Sequence, residues 1–338
     1  MEILTHFDQA ASARLMPAVK EFIKAHIEKD QINCSAAHMW AKKYKAKIDN
    51  FRENLLDYFD LYDEFDLIFT GSATEANSIV AFNFAQQNIF APKEDHPSLA
   101  KHANVSDSTE ADLYMLSHVN STSGVINTIP ETTGHIHIDM SQSFMKITHK
   151  DITNIHSITL SSHKMGGPKG AAALLYRKGC ITQSLFKGGN QETELRSSTL
   201  NEMAILGWQC AFENFKKNTE TIDNIIELKQ WLSQEFEEIT FPFKNYNLSP
   251  YILFILIPGI SSDIMMRHLE QKGIITSSSS ACSSKVKGEN QTLKAYNIDE
   301  KYHKTGLRLS FSPLNTKDEF VHFKSNFKEI YQYLQALK

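Results

Sequence analysis

Residues 157–176 read SITLSSHKMGGPKGAAALLY. A short apolar stretch of strand character leads into His163 and Lys164, a Gly166–Gly167 pair turns the chain, and a second apolar run follows. In open α/β sheets, ligands collect beyond the carboxyl ends of the strands, so Lys164 stands where a site is expected. A lysine made nucleophilic by burial forms a Schiff base with an aldehyde cofactor. A single lysine on a loop is ordinarily just solvated, so the surrounding pattern has to decide.

Outward from this segment, apolar runs of strand length recur between helical patterns at 65–69, 113–116, 135–138, 157–160 and 171–176. Strands alternating with helices predict an α/β fold whose mainly parallel sheet is flanked by helices. After Trp208 the pattern becomes a long helical stretch to about Glu237, then strand-like 251–257, helix-like 261–271, strand-like 307–311 and a closing helix over 317–337. The expected architecture is a large domain over 12–215 and a smaller α+β domain over 216–338, joined by segment 1–11, with a cleft between them.

Composition narrows the class. The 338 residues are 41% hydrophobic and 22% charged, as in ordinary folded soluble proteins. A net charge of -4 provides no field to recruit nucleic acid or anionic lipid. The N-terminal MEILTHFDQA has no signal-like pattern and no apolar run could span a bilayer, so a cytoplasmic protein is expected. Cys34, Cys180, Cys210 and Cys282 lie far apart without metal-ligand spacing, so neither a disulfide framework nor a metal site is expected.

Two further segments extend the Lys164 reading. HIHIDMSQS puts Asp139 at the end of an apolar strand with Gln142 just beyond. A carboxylate there suits the ring nitrogen of pyridoxal phosphate, which acts as an electron sink only when protonated, although a lone strand-end aspartate is more often a helix cap. LIFTGSATEANS reads as strand, small-residue turn and helix, leaving backbone N–H groups at 70–74 as a phosphate cradle; the bland alternative is a capping box using Thr74 and Asn77.

FDQAAS, TGSATEAN, EDHPS, HVNSTSGVI, HIDMSQS, SSHKMGGPKG, GGNQETELRSST, SSSSACSS and GLRLS follow in one order from Phe7 to Ser312. In that order the chain resembles the cysteine desulfurases, a branch of the class V aminotransferases with the fold-type I pyridoxal-phosphate architecture. The resemblance implies that Lys164 holds the cofactor, that Asp139 pairs with its ring nitrogen, that Gln142 meets its phenolic oxygen and that His96 stacks on its ring. It implies phosphate contacts from Ala73, Thr74, Ser161 and His163, and from Thr199 of the second subunit of a homodimer with shared active sites. Arg308 and Asn33 would hold the carboxylate of the substrate, L-cysteine. Cys282, in a small polar segment unsuited to a core, matches the cysteine that takes sulfur as a persulfide and passes it to a sulfur-acceptor protein such as an iron–sulfur scaffold. Cys34, Cys180 and Cys210 are then structural.

The sequence also departs from the family pattern. Ser121 stands where asparagine is usual, Ser162, Ser198 and Ser279 where glycine is usual, and Cys34 where proline is usual. Residues 129–135 are too short for the helix normally found in that crossover. Alternatives are a class V aminotransferase or lyase acting on another amino acid, with Cys282 incidental, and a scaffold that has lost catalysis. Alanine release from cysteine and a yellow purified protein discriminate among the three.

Overall fold

A computed structural model of the chain describes residues 4–30, 32–148, 152–278 and 290–337. In chain order come β1 (Thr5–His6), α1 (Pro17–Ile27), α2 (Met39–Asp57), β2 (Phe65–Thr70), α3 (Ala73–Asn83), β3 (Ile89–Phe90) and α4 (Pro97–Ala100). There follow β4 (Leu113–Ser117), β5 (His135–Asp139), β6 (Ser157–Ser161), β7 (Ala172–Arg177), α5 (Glu202–Asn214) and α6 (Thr219–Glu235). The remainder is β8 (Ile252–Leu256), α7 (Ser262–Gln271), β9 (Ile274–Ile275), β10 (Ser277–Ser278), α8 (Gln291–Ala295), β11 (Gly306–Ser310) and α9 (Lys317–Ala336).

The chain divides into two units. One comprises Arg14–His118 and Thr128–Phe215; the other comprises Met1–Ala13, Val119–Asn127 and Lys216–Lys338. Residues 119–127 join the C-terminal part because Val125 bridges Leu248 and the Ile126 N–H donates to the Asn247 carbonyl at 2.9 Å. Sequence periodicity does not register such a pairing.

The first unit is built on six strands in the order β2-β7-β6-β5-β4-β3. Adjacent strands from β3 to β6 are parallel, and β7 runs antiparallel to both β6 and β2. Strands β4, β6 and most of β7 are buried along their length, the pattern of a sheet covered on both faces. Among the described residues no helix lies between β4 and β5, whose parallel pairing is reached through the irregular run 118–134. Phe51, Phe69, Phe144 and Trp208 are fully buried and meet edge-on or stacked, fixing α2, β2 and α5 together.

In the second unit β8 pairs antiparallel with β11, and β11 with β10. Its core gathers Phe7, Phe311, Phe320, Phe323 and Phe327. Truncating one such ring to alanine costs about 3–5 kcal/mol. The expected continuous helix to Glu237 is interrupted: α5 stops at Asn214, Phe215 is extended, and Asn218 caps α6 by accepting from the Glu220 N–H at 3.1 Å.

Candidate active site

The register of the six-stranded sheet brings the sequence motifs to one edge. Thr70 pairs with Ala172, Ala172 with Ser161, Thr159 with Asp139, and Asp139 with Ser117. Neighbouring strands lie about 4.8 Å apart, so residues that follow these ends share one rim. The LIFT, HIHID and SITLS motifs all deliver their polar residues there.

Asp139 is buried and bound by neutral donors: Asn77 Nδ2 donates to Oδ2 and the Ser141 N–H donates to Oδ1, both at 2.9 Å. Among the described residues it makes no ion pair. Because a carboxylate only accepts, it orients the Asn77 amide with its NH2 toward Asp139. Asn77 Oδ1 then accepts from His137 Nε2 at 3.0 Å, and His137 Nδ1 accepts from Ser157 Oγ at 2.8 Å. Burial drives the fully buried His137 down to about 4, which keeps it neutral and consistent with this tautomer.

The same amide continues the chain in the other direction. Asn77 Nδ2 donates to Ser98 Oγ at 2.9 Å, and Ser98 Oγ in turn lies 2.8 Å from His96 Nδ1. The Ser98 N–H also points at that nitrogen, 3.2 Å away, so Nδ1 is an acceptor and the ring proton sits on Nε2. Partial burial holds the His96 pKa below the usual histidine value, against the pull of Asp139 and with the push of Lys164. Buried Asp95, accepting from the N–H and Oγ of Ser117, ties the His96 loop to the end of β4. Asn77, His137 and Ser98 lie inside motifs quoted above, but nothing in the sequence gives them a part in one network; only the 3.6-residue period of α3, which buries Asn77 beside Ala76 and Val80, hints at an inward amide.

Lys164 ends a 3-10 turn over Ser162–Lys164 directly after β6. The Met165 and Gly167 N–H groups both return to the Ser162 carbonyl at 3.1 Å, and the Trp208 indole N–H donates to Met165 Sδ at 3.1 Å. Gly166 has φ of +98°, and a Cβ there would meet Met16 Cγ at 2.9 Å; a Cβ on Gly167 would stand 2.2 Å from Ser162 Oγ. The two glycines thus fix the lysine turn, and the serine that replaces the family's usual glycine at 162 is buried with its hydroxyl unpartnered among the described residues. His163 is driven down to about 4 by burial and then by Lys164, Lys169 and Lys146, leaving a neutral ring beside the turn.

Across the rim, Ser72 rather than Thr74 caps α3, accepting from the Glu75 N–H at 3.2 Å. The Ala73 and Thr74 amides of that first turn have no intrahelical acceptor, the ordinary condition of a helix start. Glu75 fastens the turn by accepting from the Gly71 N–H at 2.9 Å and from Arg196 Nε at 2.6 Å. Ser161, at the end of β6, and Gln142, in the turn after β5, are buried, whereas Thr199 and Asn33 are exposed, with Asn33 Oδ1 accepting from the Ser35 N–H at 2.9 Å.

The family model described as aminotransferase class-V matches residues 5–105 and 96–323. The chain belongs to the class V aminotransferase family. A NifS/IcsS protein homolog of Lactobacillus delbrueckii subsp. bulgaricus is 25% identical over 99% of both chains, and the cysteine desulfurase IscS of Dictyoglomus turgidum is 23% identical over 98% of this chain and 95% of its own. Among solved structures, a NifS-like protein from Rickettsia africae superposes with a TM-score of 0.82 at 24% identity over 97% of this chain and 99% of that one. A cysteine desulfurase CsdA from Escherichia coli superposes with a TM-score of 0.75 at 16% identity over 97% and 94%. At these identities the superpositions establish the shared fold.

In this class V aminotransferase the second unit carries Arg308, on β11 and buried. Its Nη2 pairs with Asp8 Oδ1 at 2.6 Å and its Nη1 donates to the Ser121 carbonyl at 2.9 Å. Ser121 therefore serves through its backbone, while the neighbouring Asn120 uses its carbonyl to cap the turn, accepting from the Thr122 and Ser123 N–H groups at 3.0 and 2.9 Å. Burial raises the thiol pKa of Cys34, Cys180 and Cys210, keeping all three protonated at neutral pH and poor nucleophiles. Cys282 lies outside the described residues. Among the described residues there is no helix long and apolar enough to cross a membrane and no cluster able to hold a metal ion.

Proposed function

We propose that the chain is a pyridoxal-phosphate-dependent cysteine desulfurase, which converts L-cysteine to L-alanine and takes the sulfur onto Cys282. The observation that carries the cofactor reading is Asp139, a buried carboxylate supplied with two N–H donors and no counter-ion among the described residues. Its charge calls for a cationic partner, which the protonated pyridine nitrogen is. A neutral His96 ring, the amide-lined start of α3 and the fixed Lys164 turn fit the ring, phosphate and aldehyde of the same group. The NifS-like and cysteine desulfurase relatives support the choice of substrate.

When bound, pyridoxal phosphate withdraws electrons from the substrate's α-carbon. Asp139 holds the proton on the ring nitrogen, and Asn77 with the Ser141 amide holds Asp139. Gln142 meets the phenolic oxygen, and Ala73, Thr74, Ser161 and His163 meet the phosphate, with Thr199 doing so for the second chain of a homodimer. Lys164 retains the cofactor and moves the α-proton, while Arg308, with Asn33, binds the substrate carboxylate through a planar two-pronged donor. The Cys282 thiolate attacks the substrate sulfur. The carbon–sulfur bond breaks, the carbon takes up a proton to leave alanine, and the persulfide passes to an acceptor thiol or iron–sulfur scaffold.

Borohydride reduction of the purified protein followed by peptide mass analysis tests the cofactor site, and the alanine formed from cysteine tests the reaction. The expected result is a pyridoxyl group on Lys164 and one alanine per sulfur transferred. A pyridoxyl group on another lysine refutes the site; turnover of cysteine without alanine refutes the reaction in favour of a lyase or aminotransferase.

A further inference from the structure

The backbone between β7 and α5 is strained. Glu192, Thr193 and Glu194 adopt φ of 49°, 54° and 65°, a left-handed course that residues with side chains ordinarily take one at a time. Such a run persists only where the surrounding contacts over-determine it. Those contacts start from Glu192, whose side chain is buried. Arg52, on α2, grips its carboxylate with two prongs, Nη2 to Oε1 at 2.8 Å and Nη1 to Oε2 at 3.0 Å, and the Phe69 N–H donates to the same Oε2 at 2.5 Å. A bidentate pair of this kind is directional as well as strong.

The pair also fixes the loop to the sheet. β2 is an edge strand, and Arg52 Nη1 donates to the Leu67 carbonyl of that strand while Glu192 takes the Phe69 N–H. Arg52 and Glu192 thus stand where a further strand would, meeting two backbone groups of the edge. From this anchor the chain runs on to Thr199. The Leu195 N–H returns to the Glu192 carbonyl at 3.1 Å, Ser197 Oγ donates to the Gly189 carbonyl at 2.6 Å, and the Ser198 N–H donates to Gln191 Oε1 at 3.2 Å. Arg196 is held in turn by Glu75. Thr199 itself is exposed, so its place is set by the turn behind it rather than by packing of its own.

We propose that Glu192 is a positioning residue for Thr199: its clamp on Arg52 and on the edge of β2 holds the left-handed turn that presents Thr199 to the phosphate of the second subunit's cofactor. The proposal rests on the reading of Thr199 as that phosphate contact. It makes a buried ion pair in one chain a determinant of how firmly the other chain retains pyridoxal phosphate.

The test compares two aldehydes. Full-length protein, freed of cofactor, is titrated with pyridoxal phosphate and, separately, with pyridoxal, which lacks the phosphate; each is fixed on Lys164 by borohydride and quantified by peptide mass. In Glu192→Gln, which keeps the shape and gives up the charge, pyridoxal phosphate should bind about tenfold more weakly, the worth of one hydrogen bond to a charged group, while pyridoxal capture stays at the wild-type level. Thr199→Ala should show a loss at least as large, and the double variant no more than Thr199→Ala alone, because residues that act through one contact are not additive. Wild-type affinity for pyridoxal phosphate in Glu192→Gln overturns the proposal, as does equal weakening of both aldehydes or an additive loss in the double variant. If Glu192→Gln melts too low to titrate, Arg52→Lys, which keeps the charge without the fork, takes its place with the same expectations; collapse of that variant too overturns the proposal, the clamp then serving the fold alone. Unchanged pyridoxal phosphate affinity in Thr199→Ala would instead overturn the reading of Thr199 itself.

Discussion

Asp139 and Arg308 are both buried charges placed by strands, yet the two units answer them differently. Asp139, at the end of β5, is met by the Asn77 amide and the Ser141 N–H. Arg308, on β11, is met by the opposite charge of Asp8. Dipoles leave the carboxylate's charge standing, ready for a cationic group to complete. A carboxylate partner cancels the arginine's charge, so any substrate carboxylate must share or displace Asp8. The first unit thus leaves its carboxylate for a cationic group to complete, whereas the second already pairs its arginine with a carboxylate.

The comparison is sharpened most by a change on the substrate side. Cys282→Ser should leave cofactor absorbance intact while alanine formation from cysteine falls below detection, because serine matches the thiol in size but is not a soft nucleophile able to accept sulfur. Normal alanine production by that variant would remove Cys282 from the reaction.

On the cofactor side, Asp139→Asn keeps the shape and removes the charge that Asn77 and Ser141 leave exposed. Loss of one electrostatic contact of this kind costs about 10²–10³ in rate, read as kcat for alanine formation with cofactor still reducible onto Lys164. An unchanged rate would mean that the ring nitrogen has no need of this carboxylate.

Arg308→Lys should raise KM for cysteine by roughly ten- to hundredfold, the cost of one charge-assisted two-pronged contact, with cofactor content unchanged. If KM stays put, Asp8 rather than substrate is the arginine's working partner.

The smallest effect concerns acid. His137 is held at about 4 against an ordinary 6.5. With the folded pKa depressed, the stabilisation is complete above pH 6.5 and is lost as pH falls toward 4. The melting temperature should therefore fall over that window, and less so in His137→Gln, which cannot titrate. Equal acid sensitivity in the two proteins would place the acid-labile group elsewhere.

Motif order made the family legible, and apolar runs that break into polar residues made legible the strand end at Asp139 and the turn at Lys164 that follows β6. The helix break at 215–218 was announced only by Asn218, whose cap a long amphipathic pattern masks. The network Ser157–His137–Asn77–Ser98–His96 could not be read from spacing, since its members come from four separate segments and their donor and acceptor roles follow from one another.

The sequence by itself determined the class V aminotransferase family, the alternation of strand and helix, and the identity of the rim residues, for these rest on local chemistry and periodicity. Only the tertiary structure decided that residues 119–127 pair with the C-terminal unit, that Arg308 is paired with Asp8, and that Lys146 is buried. Each of those depends on which distant atoms lie within a few ångströms, and desolvation and pairing are set by that distance rather than by position along the chain.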